Sequence, residues 1–161
     1  MVDRRKDNRA PGDPWAATLR LLTRRDYGTE ELRRRLLDKG FANEAVEAAV
    51  ARARELGYLD DERYIATLTR SFVGSGRAVG PRLSLELKRR GLPAELIGAT
   101  VSASRQSGAE EQALRDLIAR RFPSFDLAVA DERERRRVVN FLQRRGFPLD
   151  RILNQLKRTD P

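Results

Sequence analysis

Apolar residues recur along most of the chain at intervals of three and four positions, the period of a helix that lies on a core. One clear segment has apolar residues at offsets 0, 3, 4, 7 and 10: Val46, Ala49, Val50, Ala53 and Leu56. At about 3.6 residues per turn these side chains share one helix face. The two-residue alternation typical of strands is absent from the sequence. The pattern therefore predicts an all-α fold over residues 14–158.

The chain contains one pattern three times, and each copy is centred on a glycine: Gly40, Gly91 and Gly146. These glycines are 51 and 55 residues apart, and apolar residues occupy offsets −8, −4, +1, +6 and +10 from each of them. The fifteen positions are Leu32, Leu36, Phe41, Val46, Val50, Leu83, Leu87, Leu92, Ile97, Val101, Val138, Leu142, Phe147, Ile152 and Leu156. Because only 40% of the residues are hydrophobic, this agreement indicates an internal repeat.

Each copy is interpreted as two helices joined by a turn. The residues at −8 and −4 stack on one helix face, the glycine ends that helix in a left-handed conformation, and the next apolar residue packs back on it. A further helix is predicted before each copy, at Pro14 to Arg25, Asp60 to about Val73, and Glu110 to Arg121. The apolar faces predicted for these helices are Leu19 and Leu22, then Ile65, Leu68 and Phe72, then Leu114, Leu117 and Ile118.

The predicted organisation is a flexible arm at 1–13 and three three-helix repeats at 14–57, 58–108 and 109–158. Five buried apolar side chains at about 2 kcal/mol each cannot offset an ordering cost of about 1 kcal/mol for every residue of a repeat. We therefore expect the repeats to pack on one another as an elongated, curved solenoid-like array. Such an array completes its own core, which favours a monomer.

Short polar residues before the predicted helices are interpreted as N-caps: Asp13, Thr29, Asn43 and Asp60. The acidic run Asp60, Asp61 and Glu62 has an alternative interpretation as a metal cluster. Contiguous acids at a helix start diverge around its axis, whereas a hard metal ion needs convergent oxygens. We therefore favour capping by Asp60, with Asp61 and Glu62 placed where the helix dipole stabilises negative charge, and no metal site is predicted.

The glycine-rich stretch 74–82 suggests a phosphate-binding loop, but it follows no strand and no Gly-Lys-Ser/Thr closes it. It is interpreted as a flexible turn that leads to a helix start at Gly80-Pro81. An exposed helix start beside Arg77 and Arg82 could still bind a phosphate of a polymer.

Composition excludes several classes of chemistry. The sequence has no Cys and no His, which excludes disulfides, zinc fingers, thiol nucleophiles and imidazole bases. No convergent catalytic group is found, so the protein is not predicted to be an enzyme and no cofactor is expected. The sequence contains no run of about 20 apolar residues and no apolar centre near its start, so we expect a cytoplasmic protein without a membrane partner.

The net charge is +9, and 29 of the 33 basic residues are Arg. Arg forks onto carboxylates and phosphates, which favours an anionic partner such as nucleic acid or an acidic protein. A genome rich in G and C gives the same bias without any binding role, and much of the charge is interleaved with acids. Both interpretations stay open.

Several motifs together resemble the RecX-type regulatory proteins over about residues 15–158. The resemblance depends on the stretches YGTEEL from Tyr27, GYLDDERY from Gly57, LKRRGL from Leu87 and RRGF from Arg144, with Gly74 to Gly80 between them. It implies an all-helical array of three tandem three-helix repeats that binds the groove of the RecA filament on DNA and modulates, usually by inhibition, RecA recombinase, ATPase and coprotease activity.

A filament groove is long and anionic, so a basic face of the repeats fits it. We predict that this RecA- and DNA-binding face contains Lys39, Arg77, Arg82, Lys88, Arg89, Arg90, Arg144 and Arg145. Cations at a helix C-terminus also complement its dipole, which gives several of these residues a structural explanation as well. The expected partners are the RecA filament and, weakly and without sequence preference, single-stranded or duplex DNA.

A helix-turn-helix protein that binds duplex DNA without RecA is the alternative, since it too has three helices, a turn and a basic surface. The threefold repetition argues against a single recognition helix.

Overall fold

The computed structural model describes residues 12–158, in which all regular structure is α-helical. Nine helices lie in this range: α1 Pro14–Leu22, α2 Thr29–Asp38, α3 Asn43–Glu55, α4 Asp61–Gly74, α5 Gly80–Arg89, α6 Ala94–Gln106, α7 Ala109–Arg121, α8 Glu132–Gln143 and α9 Leu149–Arg158. The all-α prediction is therefore confirmed. Most of the predicted arm lies outside the described residues.

Two of the predicted N-caps are confirmed. The Asp13 carboxylate accepts hydrogen bonds from the Trp15 and Ala16 amides at 3.0 and 3.1 Å, and Pro14 occupies the first turn, where a missing N–H is tolerated. The Asp60 carboxylate accepts from the Arg63 amide at 2.9 Å.

Two other predicted N-caps are wrong. The residues at the caps of α2 and α3 are Gly28 and Ala42, and neither makes a side-chain cap hydrogen bond. Thr29 and Asn43 are instead the first helical residues. Each polar residue therefore lies one position further into its helix than predicted. The Thr29 amide donates its hydrogen bond to a residue elsewhere in the chain.

The chain forms two compact units. The first extends to Tyr64 and includes Arg90–Leu92; the second contains Ile65–Arg89 and the chain from Pro93 onward. In the first unit α1, α2 and α3 pack pairwise on one another. Its core contains Ala17, Tyr27, Leu32, Leu36, Phe41, Val46, Val50, Ala53 and Leu59.

The apolar faces predicted for α3 and α1 each need a correction. Leu56 follows the last residue of α3, at its C-cap, and is 51% exposed. The second correction concerns α1. Leu19 is 37% exposed, whereas Ala17 and Thr18 are buried. Thr18 can be buried because its hydroxyl donates to the Pro14 carbonyl at 2.9 Å, which satisfies its only donor.

In the second unit α5 packs on α6, α6 on α7, and α9 on both α7 and α8. The predicted inner faces are confirmed here: Leu114, Leu117 and Ile118 of α7 are all buried. All fifteen repeat positions identified in the sequence are likewise buried across the two units. The central glycines also have the predicted left-handed backbone, with φ of 87° at Gly40, 68° at Gly91 and 97° at Gly146.

Candidate functional site

The start of α2 contacts the turn that ends α5, and we call this contact the first joint. It consists of Gly28 to Glu31, Asp61 and Arg90-Gly91. The Thr29 amide donates to the Asp61 carboxylate at 2.8 Å. A methyl group on Gly91 would lie 2.8 Å from the Glu31 nitrogen, and one on Gly28 would lie 2.6 Å from the Arg90 carbonyl oxygen. Both backbones therefore approach more closely than a side chain allows.

Glu31 is buried in the first joint because a cation neutralises it. Its carboxylate accepts two hydrogen bonds from Arg25, at 2.6 and 3.1 Å, and Arg25 also lies 3.7 Å above the Tyr27 ring. The hydrogen bond to Glu31 raises the pKa of Arg25, which burial alone would lower. A bidentate pair of this kind favours a single orientation of both side chains.

The start of α5 makes equivalent contacts, and we call these the second joint. It consists of Val79-Gly80, Glu110 and Arg145-Gly146. The Gly80 amide donates to the Glu110 carboxylate at 3.3 Å, and the Val79 amide donates to the Arg145 carbonyl at 2.9 Å. A methyl group on Gly146 would lie 2.1 Å from the Val79 carbonyl oxygen. In both joints, an acid from a later helix caps the start of an earlier one.

The second joint overturns the prediction that the start of α5 could bind a phosphate. Ala78, Val79 and Gly80 are buried, and the Glu110 carboxylate already occupies the position that an anion would take. Glu110 is only 3% exposed, which follows from this capping role because a buried carboxylate requires donors. The glycine-rich stretch is therefore largely part of a packed joint.

Four of the eight predicted site residues are engaged by their own surroundings. Arg82 and Arg89 both pair with Glu86, at 2.7 and 3.5 Å. Arg90 donates to the Tyr64 hydroxyl at 3.3 Å, and Arg77 lies 5.5 Å from the Phe72 ring. These four side chains therefore already make contacts within the protein, which a partner would have to share or replace.

The other four predicted site residues have no acidic partner that offsets their charge in the described part of the chain. Lys39, Lys88 and Arg144 are exposed and make no ion pair within residues 12–158. Arg145 is half-buried, with its guanidinium 3.5 Å above the Phe141 ring and donating to the Phe141 carbonyl at 3.0 Å. Its pKa is lowered by burial and then by the charges of Arg144 and Arg121.

The predicted residues do not all belong to one unit. Lys39 and Arg90 lie in the first unit, and the other six lie in the second. The second joint brings Arg82, Arg144 and Arg145 together, since a methyl on Gly146 would also lie 3.0 Å from Cβ of Arg82. Lys88 and Arg89 lie in the last turn of α5.

No group of three or more Asp or Glu side chains in the described part of the chain could hold a metal ion. None of the helices described is long and apolar enough to cross a membrane.

Two family models match the chain: the first three-helix domain of RecX over residues 15–52 and the third three-helix domain of RecX over residues 109–154. The regulatory protein RecX of Syntrophotalea carbinolica is 42% identical over 135 residues, which is 84% of this chain and 88% of that protein. The regulatory protein RecX of Trichlorobacter lovleyi is 46% identical over 142 residues, 88% of this chain and 92% of that protein. The chain belongs to the RecX family.

Solved RecX structures have the same fold. The crystal structure of RecX from Lactobacillus salivarius matches with a TM-score of 0.72 at 14% identity, over 90% of this chain and 93% of that chain. A second crystal structure, of a regulatory protein RecX, matches with a TM-score of 0.68 at 16% identity, over 90% of this chain and 70% of that chain. The predicted all-helical fold of three-helix RecX domains is thus confirmed.

Three side chains beside Arg145 in this RecX-family chain had no signal in the sequence. Arg121 lies 6.0 Å from the Phe141 ring, and Phe122 packs edge-on against that ring at 5.1 Å. Arg121 and Phe122 end α7, whereas Phe141 is on α8. No spacing within the sequence links the end of α7 to α8, so only the tertiary structure could identify this cluster.

Proposed function

We propose that this RecX-family regulator binds the RecA filament on DNA and inhibits the recombinase, ATPase and coprotease activities of RecA. The proposal is carried by the match to proteins named regulatory protein RecX over most of the chain. The basic turns after α2, α5 and α8 support it, because cations on rigid turns suit an anionic filament surface. The protein acts as a regulator rather than as an enzyme and requires no cofactor.

The proposed contact residues are the basic side chains of the sequence-derived face, and the structure ranks them. Lys39, Lys88 and Arg144 are exposed and unpaired within residues 12–158, so their charges are fully available to a partner. Arg82 and Arg89 must share or lose Glu86 to engage a second anion. Arg90 and Arg145 place their carbonyls in the joints, so their primary contribution is to hold the turns.

We further propose that the chain acts as a monomer in the cytoplasm and that its three repeats span 14–57, 58–108 and 109–158. The two joints support this division. Each links the start of a second helix to the first helix and glycine turn of the following repeat.

The decisive experiment measures the DNA-dependent ATPase of RecA with and without the protein, alongside binding to bare duplex DNA. We expect inhibition that saturates as the protein is added, and weak, sequence-independent duplex binding. Normal RecA turnover at full saturation would contradict the proposal. Tight, sequence-specific duplex binding without any effect on RecA would favour the helix-turn-helix alternative.

A charge-reversal pair tests the contact residues. The variant Lys88→Glu/Arg144→Glu removes two unpaired cations, and we expect weaker inhibition of the RecA ATPase. The matched control is Arg133→Glu/Arg135→Glu, which changes the net charge equally at two other exposed positions. Both variants should keep the wild-type helicity by circular dichroism. Equal loss of inhibition in the two variants would mean that overall charge, not the proposed face, is responsible.

A further inference from the structure

Two guanidinium groups lie near one aromatic ring in the second unit, and the charge of a third acts on one of them. Arg145 lies 3.5 Å above Phe141, Arg121 lies 6.0 Å from the same ring, and Arg144 is adjacent to Arg145 in the turn after α8. We call Arg121, Arg144, Arg145, Phe122 and Phe141 the α7–α8 cluster.

The α7–α8 cluster lacks an internal counter-ion. None of its three arginines makes an ion pair within residues 12–158, although ion pairs engage arginines elsewhere: Arg25, Arg33, Arg82, Arg89, Arg136, Arg137 and Arg151. Like charges that are brought together without a carboxylate raise the free energy of the folded state. A bound anion would remove that repulsion, so the cluster favours an anionic ligand.

The cluster is also held rigidly. The Arg145 carbonyl accepts the Val79 amide in the second joint, its guanidinium donates to the Phe141 carbonyl, and Phe122 packs edge-on against Phe141. On the neighbouring residue of α7, Arg120 donates to the Ser75 carbonyl at 3.1 Å. These contacts fix the backbone that carries Arg121 and Arg144, so a ligand has to order only their side chains.

We propose that the α7–α8 cluster binds the phosphodiester backbone of a single-stranded nucleic acid. Arg121 and Arg144 contact phosphates, and a base stacks on Phe122. This proposal rests on the proposed function and names the part of the nucleoprotein filament that this surface touches. It also assigns the binding of nucleic acid by the protein alone to these particular residues, so it can fail while inhibition of RecA holds.

Two features favour a nucleic-acid strand over an acidic protein segment. Several unpaired cations around one point match a polymer whose negative charges follow one another at every residue, as they do in a phosphodiester backbone. In addition, Phe122 is only partly buried, and an aromatic side chain beside basic groups is the usual platform for an unpaired base. An acidic side chain has no aromatic ring to stack on Phe122.

The test measures fluorescence anisotropy of a labelled single strand of mixed sequence in the absence of RecA. The variant Arg121→Glu/Arg144→Glu changes two exposed side chains, and Arg133→Glu/Arg135→Glu is the charge-matched control. We expect the first variant to bind about tenfold more weakly or worse, and its salt dependence to fall by about 1.4 in the slope of log K against log salt, about 0.7 for each lost phosphate contact. The control should retain most of the affinity and slope.

Two further arms identify the ligand. Arg121→Lys/Arg144→Lys keeps both charges and should restore most of the binding, and Phe122→Leu should weaken binding to the single strand more than binding to duplex. Labelled poly-glutamate is the probe for an acidic protein. A loss of poly-glutamate binding with unchanged single-strand binding would assign the cluster to a protein partner and overturn the proposal.

Equal affinity of wild type and Arg121→Glu/Arg144→Glu for the single strand would also overturn it, as would a wild-type protein that does not bind the strand. Parallel measurement of the RecA ATPase with the single variant Arg121→Glu, which leaves every proposed RecA-contact residue intact, keeps the two proposals separate. Inhibition that survives the loss of strand binding supports the proposed function and shows that this site is dispensable for it. Strand binding without inhibition supports the site alone.

Discussion

Helices α2 and α5 both begin at a joint where a glycine turn contacts the helix start and an acid caps it. The two joints differ in how closely the backbones approach and in how deeply the capping acid is buried. At the first joint, a methyl on Gly91 would lie 2.8 Å from a backbone nitrogen, and the capping Asp61 is only partly buried. At the second joint, a methyl on Gly146 would lie 2.1 Å from a carbonyl oxygen, and the capping Glu110 is almost fully buried. A substitution at the second joint should therefore destabilise the fold more than the equivalent substitution at the first joint.

The turn after α2 completes the comparison. Gly40 has the same left-handed backbone as Gly91 and Gly146, yet nothing lies within 4 Å of the place its methyl would take. One local sequence signal therefore serves two purposes. At Gly40 the glycine only ends a helix, whereas at Gly91 and Gly146 it also admits another backbone. Substitutions at the second joint should therefore have larger effects than substitutions at the first joint or away from both.

Replacing Gly146 with Ala should have the largest effect. The substitution adds left-handed strain of about 1–2 kcal/mol and a contact that the structure can relieve only by separating the Val79 and Arg145 backbones. We expect a loss of about 3 kcal/mol or more in the free energy of unfolding, measured by urea denaturation.

Gly40→Ala is the matched control for this prediction. It carries the strain without the collision, so it should lose only about 1–2 kcal/mol. Gly91→Ala should fall between the two. Equal losses at Gly40 and Gly146 would show that the close approach at the second joint has no energetic consequence.

Replacing Glu110 with Ala should have the second largest effect. The change leaves the buried Gly80 amide without an acceptor, which costs about 1–3 kcal/mol. Glu110→Gln keeps a side-chain oxygen and should recover much of the loss. Asp61→Ala at the more open first joint should cost about 1 kcal/mol.

Hydrogen exchange provides a local readout for the same variants. The Gly80 amide should exchange faster in Glu110→Ala, and the Thr29 amide should not. An unchanged Gly80 rate would mean that the Glu110 carboxylate does not protect this amide.

Replacing Glu47 with Gln should have the smallest effect, and it should depend on pH. Arg33 of α2 bonds Glu47 of α3 at 2.5 and 3.0 Å, and this bond lowers the pKa of Glu47 below its ordinary value. A lowered pKa stabilises the fold fully above the ordinary glutamate value of about 4.3, and that stabilisation is lost as the pH falls through the folded-state pKa.

Thermal denaturation should therefore separate wild type from Glu47→Gln near neutral pH, and the two curves should converge in acid. Glu44→Gln, on the same helix but exposed and without an ion pair in the described chain, is the control. A difference that persists at about pH 2 would have to come from packing and not from charge. Added salt should reduce the difference, since Glu47 is 44% exposed.

Features that depend on residues close together in the sequence could be predicted, and features that depend on distant residues could not. The buried faces were predicted because periodicity reports directly on which side chains leave water, as the fifteen repeat positions show. Asp13 and Asp60 were predicted as caps because their partners lie two or three residues away. Thr29 was not, because its amide partner is 32 residues distant.

The candidate site shows the same limit. Basic residues next to the repeat glycines could be identified from recurrence, but their availability could not. The spacing alone could have indicated that Arg89 pairs with Glu86, three residues before it, but no local pattern indicates that Arg90 donates to the Tyr64 hydroxyl, 26 residues away. Arg121 and Phe141 had no local signal at all, because they become neighbours only when α7 and α8 pack in the second unit.

The sequence by itself determined the helical class, the repeat and the left-handed glycines, because these depend on side-chain periodicity and on steric limits within a few residues. Only the tertiary structure decided which backbones meet at the joints, which acid caps which amide, and which arginines lack a counter-ion. The joints and their caps depend on distances between segments 30 or more residues apart, and no local pattern encodes such distances.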